Sequence, residues 1–574
     1  MDTAKQTEDS LLDFDRLLHV WISRYTSGIS PAALAQAFFD WAIHLGLSPA
    51  KQHQLVDKAV FQWMRLLDYC AHAPAASGQR AIEPLVQDNR FESGEWQAWP
   101  YNAVYQSFLL GQQWWHYATT DVRGVTDHHE QVVNFTMRQL LDIFSPSNFF
   151  ASNPEVIQAT GREHGQNLLR GWQNWLDDVQ RHQHRGKPAG ADLFRVGHEV
   201  AVTPGKVVFR NRLIELIQYA PSTDTVAAEP ILIVPSWIMK YYILDLSPHN
   251  SLVRFLVEQG HTVFMLSWKN PDAGDRNLMM DDYLKLGVLA ALDHVSSALP
   301  GQRINAAGYC LGGTLLAIAA AWLAGRDDQR LNTVTLFAAQ VDFDEPGELS
   351  LFIEESQLAF LEDVMWDKGY LRGGLMHGAF ELLNSRDLFW SRLTRDYLLG
   401  TRLPLNDLMA WNADATRMPY RMHTEYLRRL YGNNELATGQ YHIDGKTVAL
   451  TDIRAPICAV GTTKDHVSPW KSVYKIRMLS DADVTFVLVN GGHNAGIVSE
   501  PGHAHRVHQV RTQLAQDKYL SPDEWQRSTP VQEGSWWPTW DGWLRQHNGA
   551  GTVPARQPDE TGLGDAPGSY VLLA

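Results

Sequence analysis

The chain is poor in cysteine, with three in 574 residues: Cys70, Cys310 and Cys458. So small and odd a set excludes a disulfide framework and fits a reducing compartment. No run of about 18 apolar residues occurs, the length that a membrane-crossing helix requires. The first ten residues, Met1 to Ser10, are polar and acidic, without the apolar centre of a secretory signal. An excess of positive charge is missing too. Lys and Arg number 49 against 64 Asp and Glu, a net charge of −15. That balance argues against nucleic acid or an anionic membrane surface as a partner. No internal repeat is found. What is present is an ordinary globular composition, 45% hydrophobic and 20% charged, over a length that predicts two domains. Tryptophan is abundant, with 21 residues, many in the first third and near the C-terminus. These read either as core and interface packing or as an apolar surface that meets another apolar body.

The first part has helical periodicity. Leu11, Leu12, Phe14 and Leu17, then Leu34, Phe38, Phe39 and Ala42, recur every three to four residues. Ser30 followed by Pro31 marks a helix start. Further helices are predicted over Tyr101–Trp115 and 130–143, and from Asn153-Pro154-Glu155 to Arg181. The polar stretch His182–Gly190 reads as a linker. Residues 1–190 thus form a helical domain with no catalytic set of their own. From Val196 the pattern changes. Strands are predicted at Val200–Val202, Val207–Phe209, Leu213–Tyr219, Ile231–Val234, Thr262–Trp268, Arg303–Ala307, Thr333–Ala338, Ile457–Gly461 and, as the last, Val484–Val489. Helices at Leu252–Gln259, Asp281–Ser297 and Leu311–Leu323 alternate with them, which implies a mostly parallel sheet covered on both faces. An aromatic-rich helical segment, 342–448, interrupts the alternation and reads as a cap inserted into a catalytic domain of residues 196–548. A Gly/Pro-rich tail, 549–574, follows.

The chemistry is concentrated at Gly308-Tyr309-Cys310-Leu311-Gly312. It lies between a predicted strand and a predicted helix, and follows the Gly-x-nucleophile-x-Gly pattern of a nucleophile elbow. The flanking glycines admit a tight crossing, and the central residue sits in a strained backbone conformation. The expected fold is therefore an α/β-hydrolase. In that fold the nucleophile, acid and base follow strands five, seven and eight. The corresponding loops hold Asp465, after Ile457–Gly461, and His493, after Val484–Val489. Asp342 and Asp344 are runner-up acids, and His466 is a rival neighbour of Asp465. Cys70 and Cys458 read as packing residues. With a thiol as nucleophile, His493 takes its proton and Asp465 fixes the imidazole tautomer. Attack of a thiolate on a thioester gives a second thioester of similar energy, so the acyl group stays activated and transfer is favoured over hydrolysis. The oxyanion falls to the backbone N–H of Leu311 and to that of Ile238, in the loop Pro235–Lys240. No metal or cofactor is called for.

Gly308-Tyr-Cys-Leu-Gly-Gly313 resembles the active-site box of polyhydroxyalkanoate synthases. So do Trp237-Ile-Met-Lys-Tyr-Tyr-Ile-Leu-Asp-Leu246, Ser267-Trp-Lys-Asn-Pro-Asp272, Trp411-Asn-Ala-Asp-Ala-Thr416, Asp465-His-Val-Ser-Pro-Trp470, Gly492-His493 and Gly534-Ser535. Ser145-Pro-Ser-Asn148 and Pro567-Gly-Ser-Tyr-Val571 extend the likeness over most of the chain, and the long helical part is similar to the larger single-subunit type. The resemblance implies a polymerase of (R)-3-hydroxyacyl-CoA that releases CoA. It implies a homodimer at the surface of cytoplasmic polyester granules, with Cys310 carrying the chain and His493 activating it. Asp465 would orient His493 or help deprotonate the attacking 3-hydroxyl. Two positions depart from the family: Pro235-Ser236 where Pro-Pro is common, and Asn494 where Ile often follows the histidine. Lys240 and Arg254 are candidates for CoA phosphates or plain surface charge. A cysteine hydrolase of the same fold, acting on esters, lactones or thioesters, and a non-catalytic granule protein are the alternatives.

Overall fold

Ten strands of one sheet carry the rest of the molecule. In chain order they are β1 (Gly205–Arg210), β2 (Ile214–Tyr219), β3 (Ile231–Val234), β4 (Val263–Trp268), β5 (Ile304–Tyr309), β6 (Leu331–Phe337), β7 (Ile457–Thr462), β8 (Val484–Val489), β9 (Val507–Gln513) and β10 (Val531–Glu533). Across the sheet they run β1-β2-β4-β3-β5-β6-β7-β8-β9-β10. Strands β3 to β8 pair in parallel, whereas β1, β2, β9 and β10 pair antiparallel at the two edges. This is the α/β-hydrolase arrangement expected from the alternation of short apolar strands with helices. A computed structural model describes residues 2–72, 80–85, 88–184, 186–376, 378, 390–549 and 551–573.

The central strands are buried along their whole length. Covering both faces of a parallel sheet calls for such continuous apolar runs. β5 differs in its side chains. Its Ala306, Ala307 and Gly308 leave room for the helix Leu311–Ala324, which is itself buried on nearly all sides. β7 and β8 pair in register from Ile457↔Val484 to Thr462↔Val489, so their C-terminal ends are level. The loops that follow are therefore neighbours, joined by Thr463 N–H to the Val489 carbonyl and by Lys464 N–H to the Gly491 carbonyl, both at 2.9 Å.

Three expectations need correction. Val200–Val202 is not a strand; Val200 makes only an isolated bridge to Val196. Val484–Val489 is not the last strand. β9 and β10 follow it, and their polar, partly exposed sequences hide the alternation that marks an edge strand. The single helix expected from 154 to 181 is two, Pro154–Arg162 and Gln166–Gln183. They are separated by His164 and Gly165, at φ 50° and 83°.

Before the sheet the chain is helical: α1 (Asp2–Thr26), α2 (Pro31–Gly46), α3 (Pro49–His72), α4 (Tyr101–Thr119) and α5 (Asp127–Ile143) precede the pair just named. Ser30 caps α2 by accepting from the Ala33 N–H, with Pro31 in the first turn. Between β6 and β7 the helix Glu355–Trp366 packs against α1. His19 Nδ1 lies 2.7 Å from Asp363 Oδ2, and Arg16 lies over the Trp366 ring at 4.9 Å. Among the described residues no helix is long and apolar enough to cross a membrane.

Candidate active site

Cys310 sits at the junction of β5 and the helix Leu311–Ala324 with φ 54° and ψ −126°, a positive φ that a non-glycine residue rarely adopts. Its own N–H donates to the Phe337 carbonyl at 2.9 Å, and its carbonyl accepts from the Gly313 N–H at 2.9 Å. The glycines around it are required by space. A Cβ at Gly308 would lie 2.4 Å from Gly313 Cα, and one at Gly312 would lie 2.2 Å from the Val234 carbonyl oxygen and 2.4 Å from that of Pro235. The elbow is thus pressed against the end of β3, where the loop Pro235–Lys240 begins.

The level ends of β7 and β8 bring Asp465 and His493 together. His493 Nδ1 and Asp465 Oδ2 are 2.8 Å apart. The carboxylate is buried and saturated: Oδ1 accepts from the N–H groups of Val467 and Ser468, each at 2.8 Å, and Oδ2 also accepts from Thr462 Oγ1 at 3.2 Å. Cys310 is close enough to His493 to act on the ring electrostatically as well. Burial works against a charged imidazole, but the charges of Asp465 and Cys310 and the hydrogen bond to Asp465 outweigh it. They hold the His493 pKa well above its usual value. The site therefore favours the imidazolium, the species that forms when His493 takes the thiol proton. Tyr309 braces the ring, 5.6 Å away between centroids, and donates from its hydroxyl to Asn494 Oδ1 at 2.5 Å. Asn494 is thus held in place beside the ring.

Leu311 and Ile238 line the same cavity as Cys310. The Ile238 N–H has one long contact, donating to Ser236 Oγ at 3.5 Å. The segment 411–416 pins this loop. Trp411 Nε1–H donates to the Lys240 carbonyl at 2.7 Å, and Thr416 Oγ1–H to the Trp237 carbonyl at 2.7 Å. The Tyr242 hydroxyl donates to Asp414 Oδ2 at 2.9 Å. From β4, Trp268 Nε1–H donates to the Pro235 carbonyl at 2.8 Å.

Other candidates lie apart. Asp342 and Asp344 bond to Lys475 and Asn434. His466 is exposed where its neighbour Asp465 is buried. Cys458 is enclosed in β7, and burial pushes its thiol well up. Lys240 is buried rather than free for an anion. Its Nζ donates to the Leu573 carbonyl at 2.6 Å, and burial lowers its pKa to about 8. Arg254 pairs with Glu258 at 2.8 Å.

The cavity before Cys310 holds a component that sequence reasoning missed. Ser27, Gly28 and Ile29, from the turn between α1 and α2, form part of its wall, alongside Phe352, Leu361 and Leu375. Gln357 fastens that turn, donating from Nε2 to the Gly28 carbonyl and accepting at Oε1 from the Ser30 N–H, both at 2.7 Å and buried. No local sequence signal announces a contact across more than 300 residues.

The chain is similar to known proteins along most of its length. Residues 87–256 match the family model described as the poly-beta-hydroxybutyrate polymerase (PhaC) N-terminus, and residues 10–51 match poly-beta-hydroxybutyrate polymerase N terminal. Residues 229–500 match the alpha/beta hydrolase fold. A poly(3-hydroxyalkanoate) polymerase of Methylorubrum extorquens is 40% identical over 86% of this chain and 82% of its own. The chain belongs to the poly(3-hydroxyalkanoate) polymerase family. The polymerase subunit PhaC of Rhizobium etli is 36% identical over 91% of this chain and 82% of its own, and that of Cupriavidus necator is 36% identical over 86% and 85%. The polymerase is an acyltransferase whose substrate is a hydroxyacyl-CoA. Its elbow, β7 loop and β8 loop all lie within the matched hydrolase region.

Proposed function

We propose that Cys310 is the residue on which this polymerase builds its polyester, with His493 as the base and Asp465 as its orienting partner. One observation supports the reading: a single buried imidazole lies 2.8 Å from the Asp465 carboxylate and within electrostatic reach of the Cys310 thiol, which itself lines an apolar cavity. His493 takes the thiol proton, and the sulfur attacks the thioester carbonyl of an (R)-3-hydroxyacyl-CoA. The Leu311 and Ile238 N–H groups receive the developing oxyanion. Collapse breaks the bond to CoA sulfur, which leaves with the proton from His493. A 3-hydroxyl then attacks a second acyl thioester, and one ester bond forms as one thioester breaks. Its proton goes to His493 rather than Asp465, because all four favourable positions on that carboxylate are already occupied. The apolar walls keep water from the activated acyl group.

The granule surface fits the helical part. Trp21 and Tyr25 on α1, and Phe61, Trp63 and Met64 on α3, are each more than half exposed. So much apolar surface on one region favours contact with an apolar polymer or with a second copy of the chain. The deciding assay supplies 3-hydroxybutyryl-CoA and follows CoA release and the fate of the acyl group. Cys310→Ala is expected to abolish release, and turnover in that variant overturns the assignment. Free acid in place of insoluble polyester would refute transfer.

A further inference from the structure

The cavity before Cys310 is built from two distant parts of the chain. The sheet domain supplies Cys310, Leu311 and Ile238, and the turn between α1 and α2 supplies Ser27, Gly28 and Ile29. Cys310 is 7% exposed, whereas Ser27 is open to solvent and Ile29 is half-buried. The cavity thus runs from a buried sulfur outward to the turn. Gly28 shows which way the turn faces. A Cβ there would lie 3.4 Å from Leu375 Cδ2 and 3.9 Å from Leu361 Cδ2, two other side chains of the same wall.

The turn is fixed from several sides. The Gly28 N–H donates to the Ser23 carbonyl at 3.2 Å, and the Ile29 N–H to that of Thr26 at 3.0 Å. Gln357 clasps the residues on either side of Ile29, through the Gly28 carbonyl and the Ser30 N–H. Ser27 and Gly28 both have positive φ, 52° and 82°, so the backbone has few other paths through them. A wall held in this way selects by size, because a group too long for it meets overpacking and not a yielding loop. Of the three turn residues, only Ile29 carries a large side chain.

We propose that Ile29 limits the acyl chamber at its outer end and so sets the longest acyl group that Cys310 accepts. The inference rests on the Cys310 reading above and adds to it a specificity-determining residue outside the sheet domain. Cutting Ile29 back to its β-carbon makes room for a longer chain, and a methylene gained or lost in an apolar pocket changes discrimination by about tenfold or more. Gln357 acts through the turn and is a positioning residue.

The test is the single-turnover release of CoA by the full chain, from 3-hydroxyoctanoyl-CoA and from 3-hydroxybutyryl-CoA. Ile29→Ala should raise the ratio of the longer to the shorter substrate by about tenfold, and Ile29→Trp should lower it by a similar factor. Gln357→Met, which removes both hydrogen bonds to the turn, should raise the ratio as well, because a loosened wall yields to a longer chain. Leu47→Ala is the control. That side chain is 78% exposed beyond the end of α2, and the ratio should hold there. The ratio is taken within one preparation, so it does not depend on the folded fraction, and if one Ile29 variant fails to fold the other still reports. Equal slowing with both substrates, an unmoved ratio in a folded Ile29 variant, or a shift in the opposite direction overturns the proposal. Cys310→Ala is run alongside. If CoA release survives there, the Cys310 reading fails and this inference with it; if release stops and the Ile29 ratios do not move, only the role of Ile29 fails.

Discussion

Gly312→Ala tests how tightly the elbow and the oxyanion loop are coupled. The added methyl would lie 2.2 Å from the Val234 carbonyl oxygen and 2.4 Å from that of Pro235. Ordinary contact requires separations greater by about 1 Å, and both obstacles are backbone, so no side chain can swing away. Either the helix Leu311–Ala324 lifts or the start of the loop Pro235–Lys240 retreats. Overpacking of this kind costs about 1–3 kcal/mol. A shifted Pro235 carbonyl also loosens its hydrogen bond from Trp268 Nε1, at 2.8 Å, adding about 1 kcal/mol. For a large domain the sum corresponds to a fall of roughly 5 °C in the melting midpoint. The kinetic effect is larger in proportion, because a displacement of about 1 Å between nucleophile and oxyanion donors costs on the order of 10²-fold in rate. The assays are CoA release with a thiol-reactive dye and a thermal melt on the same protein. Gly111→Ala is the control. That glycine lies within α4 with nothing near the place of a new methyl, so the rate should hold and the midpoint should stay or rise. A Gly312→Ala protein with full rate and an unmoved midpoint would refute the reasoning.

Two further predictions concern the imidazole and the surface. Asp465→Asn removes the charge that offsets the burial of His493, so its pKa should fall and the imidazolium should lose its advantage. CoA release is expected to drop on the order of 10²- to 10⁴-fold with the fold intact by circular dichroism; a rate within a few-fold of wild type would show that Asp465 has no such role. Replacing Trp21, Phe61 and Trp63 together with Ser should release the polymerase from sedimenting polyester while leaving CoA release from soluble substrate within a few-fold. Unchanged co-sedimentation would place granule contact elsewhere.

The elbow was legible because its constraints are local. Gly308, Gly312 and Gly313 mark a crossing that no other residue fits, and the apolar runs on either side identify a strand and a helix. Asp465 and His493 were legible through order alone, since each follows a short buried strand and the parallel register of those strands makes the following loops neighbours. The edge strands β9 and β10 were not, because one-sided burial and polar residues such as His508, Gln509 and Arg511 blur the period of two. The break at His164-Gly165 carried a signal, a glycine inside a helical pattern, that periodicity on either side outweighed. The turn at Gly28 gave none, because its contact with Gln357 spans more than 300 residues and packing is not written in any short window of sequence.

Gln357 ties residues 28 and 30 to a helix that begins at residue 355, and that knot closes the wall in front of Cys310. The pocket is in this sense a shared possession of distant parts of the gene. Recombination between relatives with a crossover anywhere from residue 31 to the start of the sheet would leave the triad untouched and still exchange part of the acyl chamber. Chimeras made in the helical part would rebuild that wall as well.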